Sequence, residues 1–200
     1  MSQVSALIGL GNPGPEYAAT RHNAGVWMVD AVARATNTSL RPEKKFLGLY
    51  AKVNFSGHTL HLLNPTTFMN RSGTSVAALC QFFKLSPEQL LIAHDELDLP
   101  AGQARYKTGG GHGGHGGHNG LRDIISALGN QKQFHRLRIG VGHPGSAHQV
   151  VNYVLGRPGK TEQSAIEQAL EECLATLPLA LGGDWANAMN RQHRFSAASE

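Results

Sequence analysis

Short apolar runs that stop at glycine or at polar residues alternate along this chain with apolar stripes at helical spacing. That alternation restricts the fold more than any other feature. Residues 4–10 form a buried-strand run that ends in glycine. Val26, Val29 and Ala33 then mark a helix over 23–35. Residues 47–55 and 58–63 read as two strands joined at Ser56-Gly57, a hairpin signature. Val76, Leu79 and Phe83 lie on one stripe of a helix over 72–83. Ser86-Pro87-Glu88-Gln89 has the cap, the proline and the glutamine of a helix start. Residues 90–93 form a further buried strand, running into His94-Asp95-Glu96. Helices over 121–128, 161–181 and 184–191 and a period-two strand over 135–142 complete the pattern. Strands alternating with helices predict an α/β fold, and the hairpin makes the sheet mixed. The expectation is one domain over residues 1–200 (core about 4–195), a twisted mixed β-sheet surrounded by helices.

Composition narrows the class. With 40% hydrophobic and 16% charged residues the chain is not wholly disordered. No apolar run approaches the roughly 20 residues needed to span a bilayer. The first residues lack a basic region followed by an apolar one, so no signal peptide and a cytoplasmic location are expected. Cys80 and Cys173 lack any CxxC spacing and sit in apolar helical contexts, which predicts buried, reduced thiols. The net charge of +4 permits a polyanionic partner without requiring one.

Gly9-Leu10-Gly11-Asn12-Pro13-Gly14 matches the dinucleotide-binding fingerprint after a strand. Pro13 and Pro15 bracket the third glycine where a helix should open, and Asp30 falls inside a helix. A tight glycine turn that exposes Asn12 above a strand end fits better. Ligands of open α/β sheets bind outside the carboxyl ends of the strands. Asn12, His22, Asn70, Asp95 and Asn119 all fall on turns of that kind. A histidine oriented by a carboxylate can take a proton from water, and amide side chains can hold an ester and its developing oxyanion. No serine or cysteine sits in a nucleophile elbow. Each residue also has a plainer reading: Asn12 and Asn70 as turn residues, Asn119 as a helix cap, His22 and Asp95 as surface groups. Three readings stay open on the residues alone: a hydrolase, a non-catalytic RNA-binding module and a nucleotide-dependent oxidoreductase.

Five long motifs carry a resemblance. Gly9–Gly14 with Tyr17 and Thr20-Arg21-His22-Asn23-Ala24-Gly25 is the first. Pro65-Thr66-Thr67-Phe68-Met69-Asn70-Arg71-Ser72-Gly73, His94-Asp95-Glu96-Leu97-Asp98, the stretch from Gly114 to Leu121, and residues 136–145 follow in order. Together they resemble the bacterial peptidyl-tRNA hydrolase family over about residues 4–195. The resemblance implies hydrolysis of the ester between a peptide and the 3′ end of tRNA, which frees tRNA for translation. It implies that His22 activates water, that Asp95 orients His22, and that Asn12 discriminates N-blocked from free aminoacyl groups. It further implies that Asn70 and Asn119 bind substrate near the ester, that Tyr17 and Phe68 line the same cleft, and that Lys107 and Arg138 clamp tRNA phosphate. No metal or organic cofactor, contact with the acceptor end of tRNA and a monomeric state complete the expectation. The tract 109–120 carries one His-Gly-Gly unit more than the family's usual pattern. That slack is expected to bulge outward and leave Asn119 in place. Residues 150–155, flanked by Gly/Pro, are expected to form a mobile lid.

Overall fold

The computed structural model describes residues 3–109 and 114–197. These form one seven-stranded sheet and six α-helices. In chain order they are β1 (Ala6–Gly9), α1 (Ala24–Ala35), β2 (Arg41–Glu43), β3 (Gly48–Phe55), β4 (His58–Pro65), α2 (Ser72–Phe83), β5 (Leu90–Glu96), β6 (Ala104–Lys107), α3 (Asn119–Ala127), β7 (His135–Gly140), α4 (Val150–Val154), α5 (Lys160–Leu181) and α6 (Trp185–Gln192). The sheet order is β2-β3-β4-β1-β5-β7-β6. β4, β1, β5 and β7 run parallel, while β3, β2 and β6 are antiparallel additions at the two edges. The mixed sheet expected from the hairpin is therefore present. Ser56 and Gly57 make its turn with φ of 49° and 83°, both positive as a two-residue hairpin turn requires.

Strand alternation divides the core in two. Leu7, Leu91 and Leu137 face one side, where α1, α5 and α6 bring Met28, Ile166, Leu177 and Trp185. Ile8, Ile92 and Leu63 face the other, under Val76 and Leu79 of α2 and Leu121 and Ile124 of α3. Each fully buried aliphatic side chain contributes about 1.5–3 kcal/mol relative to exposure. Cys80 and Cys173 are free and buried as expected, and burial pushes the Cys80 thiol up to about 11.

Helix α1 lies so close to the sheet that a Cβ on Gly25 would meet Ala93 O and lie 2.7 Å from Leu10 N. Two fingerprint glycines serve the same packing: a Cβ on Gly9 would come within 2.8 Å of Val29 Cγ2 and one on Gly11 within 2.6 Å of Val26 Cγ2, while Gly14 makes the turn with φ of 101°. No helix opens at Gly14. The chain passes through turns to a single 3-10 turn at Arg21–Asn23 before α1 begins. A pyrophosphate would find no helix N-terminus there, which removes the oxidoreductase reading. The capping box at Ser86 and Gln89 forms, but it starts only one 3-10 turn, Pro87–Gln89, that leads straight into β5. α3 begins at Asn119 rather than at Leu121.

Candidate active site

The carboxyl ends of β1, β4, β5 and β7 open into a cleft of about 740 Å³. Asn12, His22, Phe68, Asn70, Asp95, Lys107, Asn119 and Arg138 all line it. Tyr17 does not: it stands outside the wall and meets the cleft only through Phe68, edge-on at 6.4 Å between ring centroids.

Asp95 is the centre of the site. β5 carries its carboxylate to the strand end, where it is 4% exposed. The Nδ1 of His22 lies 2.9 Å from Oδ2 and 3.0 Å from Oδ1. A carboxylate only accepts, so the proton of His22 sits on Nδ1 and Nε2 keeps its lone pair. Burial disfavours a charged His22, but the charge and hydrogen bonds of Asp95 outweigh it and hold the imidazole above its ordinary value. Burial alone would raise the Asp95 carboxyl. The neighbouring His22 and His118 instead hold it well below the usual carboxylate range.

His118 is the residue that sequence reasoning missed. Its Nε2 donates to Asp95 Oδ1 at 2.8 Å. Its Nδ1 accepts from the backbone N–H groups of Gly120 and Leu121, at 3.2 and 3.4 Å. His118 therefore caps α3, a role expected of Asn119. Asn119 is instead the first helical residue, exposed on the cleft rim. A histidine directly before a buried helical stripe was the available signal. His94, its ring 5.2 Å from that of His118, is buried and donates from Nδ1 to Asp95 O at 2.8 Å. Burial, with His118 and Arg136 nearby, pushes it down to about 3.

Among the described residues, ligand atoms of His22, Asp95 and His118 lie within 4.8 Å of one another, a spacing that suits a metal ion. The hydrogen bonds speak against that use. A metal on those nitrogens would displace the bonds of both imidazoles to Asp95, and a neutral His118 would also have to move its proton to Nδ1, giving up the bonds it accepts from Gly120 and Leu121. His112, the first histidine of the glycine tract, lies outside the described residues. The described part of the tract does not bulge away, because Gly114, His115, Gly116 and Gly117 line the cleft.

Asn12 is locked from two sides. Its Oδ1 accepts from Met69 N at 2.8 Å, and its backbone N–H and carbonyl bond the side chain of Asn23 at 2.9 and 3.0 Å. That fixes its amide with the NH2 group as donor toward the cleft. On the far side, register places Lys107 opposite Arg136 and Arg105 opposite Arg138. Burial and the charges of Arg136 and Arg138 lower the pKa of Lys107, as expected of cations crowded on one strip. Arg138 lies 3.7 Å from Glu96. Arg136 also lines the cleft and is 2% exposed, with its guanidinium 4.9 Å from the Phe134 ring centroid. The wall between is apolar: Leu97 with Val150, Val151, Val154 and Leu155 of α4 and the residue after it. The expected lid segment is thus a short helix in the cleft wall.

Comparison with known proteins places this geometry. The family model described as Peptidyl-tRNA hydrolase matches residues 6–200. A peptidyl-tRNA hydrolase of Chromohalobacter salexigens is 70% identical over 197 residues, covering 98% of this chain and all of the relative. One from Pseudomonas putida is 55% identical over 197 residues with the same coverage. The crystal structure of peptidyl-tRNA hydrolase from Acinetobacter baumannii superposes with a TM-score of 0.93 at 47% identity, covering 99% of this chain and 98% of that one. No described helix is long and apolar enough to cross a membrane. On sequence and structure alike, the chain is an enzyme of the peptidyl-tRNA hydrolase family.

Proposed function

We propose that the cleft hydrolyses peptidyl-tRNA by direct attack of water, with His22 as the base and Asp95 as its orienting acid. The observation that carries this is the pair of contacts from the Asp95 carboxylate to Nδ1 of His22, at 2.9 and 3.0 Å. They leave Nε2 of His22 as the basic lone pair on the cleft side. His22 takes a proton from water as the water oxygen adds to the ester carbonyl carbon. The bond from that carbon to the 3′ oxygen of the ribose then breaks, and the imidazolium returns its proton to that oxygen. Asp95 stabilises the imidazolium in between. An activated acyl ester needs only a positioned water and a base, about 10²–10⁴-fold coming from the proton transfer itself.

Polar groups around this pair suit the rest of the substrate. The NH2 of Asn12 can donate to the carbonyl of an N-blocked acyl group, whereas a free ammonium offers it only donors. Asn70 and Asn119, both exposed and lining the cleft, supply further amides near the ester. Phe68 is 57% exposed and backed by Tyr17, an open aromatic face for the substrate end. Lys107 and Arg138 face phosphate of the tRNA acceptor end, contacts that position without reading sequence. The test compares N-acetylaminoacyl-tRNA with the same tRNA bearing a free amino group. Wild type should hydrolyse the blocked ester far faster, and Asn12→Ala should narrow the gap. Equal wild-type rates on the two would contradict the reading.

A further inference from the structure

Arg21 stands next to the proposed base, yet it points away from the cleft and no step of the chemistry uses it. Its guanidinium is tied on three sides. It donates to Tyr153 O of α4 at 3.0 Å, and its Cζ lies over the Tyr153 ring at 3.9 Å from the centroid. It meets both carboxylate oxygens of Glu162, in the first turn of α5, at 3.1 and 3.3 Å. The backbone N–H of Arg21 donates to Gly156 O, and the Tyr153 hydroxyl donates to Val141 O at 2.7 Å.

α4 has little else to hold it. Of its residues only Val154 is buried, and Val151 is 66% exposed. A one-turn helix that buries only one side chain cannot fix its own position. Gly142 and Gly145, with φ of 78° and 103°, precede it, and Gly156 and Gly159 follow. Its three valines nevertheless form part of the cleft wall. An ordinary surface ion pair would contribute little. This one joins an arginine side chain 10% exposed to a glutamate 40% exposed, and its guanidinium meets both carboxylate oxygens while sitting over an aromatic ring, contacts that a lysine ammonium does not reproduce.

We propose that Arg21 and Glu162 are positioning residues: their ion pair holds the α4 wall against the cleft and thereby sets substrate affinity, while the chemical step is left alone. The proposal rests on the cleft being the peptidyl-tRNA site, and its test separates the two ideas. Glu162→Gln keeps the size of the side chain and removes its charge. It lies on α5, outside the cleft. Steady-state hydrolysis of N-acetylaminoacyl-tRNA should show KM raised about three- to tenfold, with kcat within about twofold. Amide exchange over residues 151–156 should speed up in the same variant. Arg21→Lys, which keeps the charge but loses the fork and the stack, should raise KM comparably. An unchanged KM with unchanged exchange would overturn the clamp. A fall in kcat as large as the rise in KM would also overturn it, because the catalytic turn itself would then be disturbed. Failure of the wild type to hydrolyse the ester would instead sink the reading of the site.

Discussion

Replacing Asp95 by asparagine isolates the charge that the two histidines share. The wild-type carboxylate faces His22 at 2.9 Å and His118 at 2.8 Å from inside the protein. When His22 takes a proton, an imidazolium forms beside that carboxylate. At a charge separation of about 4 Å and an effective dielectric constant of about 20, their attraction is about 4 kcal/mol. An amide supplies almost none of it, so the rate of the step should fall about 10³-fold. The pH profile should move as well. The base works only when neutral, so kcat/KM rises with pH through the His22 pKa. Asp95 holds that pKa up against burial, which lowers it. Removing the carboxylate leaves burial dominant, and the acid limb should shift to lower pH as the plateau drops. Single-turnover release of labelled N-acetylaminoacyl groups across the acid-to-neutral range reads both effects. A loss of less than about tenfold, or a limb that moves to higher pH, would refute the reasoning.

Two further outcomes concern stability. His94 is held at about 3 against an ordinary 6.5, so below neutrality the unfolded chain binds a proton that the folded chain refuses. That contribution is complete above about pH 6.5 and is lost toward pH 3, at up to about 1.4 kcal/mol per pH unit. His94→Asn keeps a donor for Asp95 O and should flatten the loss, checked by urea unfolding at about pH 5 and about pH 7. Gly25→Ala drives a methyl into the backbone of Ala93 and Leu10 and should cost about 1–3 kcal/mol. An unchanged urea midpoint would contradict the close approach of α1.

Elements with strong periodicity were legible from the sequence. The helix over Ser72–Phe83 appears with the expected bounds, and the Ser56-Gly57 hairpin pairs residue for residue. Three short elements were not. β2 is three residues containing a proline, and β6 is four residues of alternating small, basic and aromatic type. Both are edge strands whose pairing comes from a neighbour rather than from their own pattern. α4 reads as an apolar run, Val150-Val151-Asn152-Tyr153-Val154, yet it forms one helical turn whose Tyr153 carbonyl accepts from Arg21. The candidate site divides in the same way. Residues on strand ends and tight turns, such as Asn12 and Asp95, announce themselves through the elements that carry them. His118 does not, because its two partners are a helix start hidden by glycines and a carboxylate 23 positions earlier. Arg21 escapes for the same reason, its partners lying 132 and 141 positions away.

The central claim is that His22 is the base that activates water. Release of an N-acetylaminoacyl group from tRNA should be rapid with the wild type and fall by at least about 10²-fold in His22→Ala, with the variant's fold intact by circular dichroism. Wild type that cleaves no faster than His22→Ala would contradict the account.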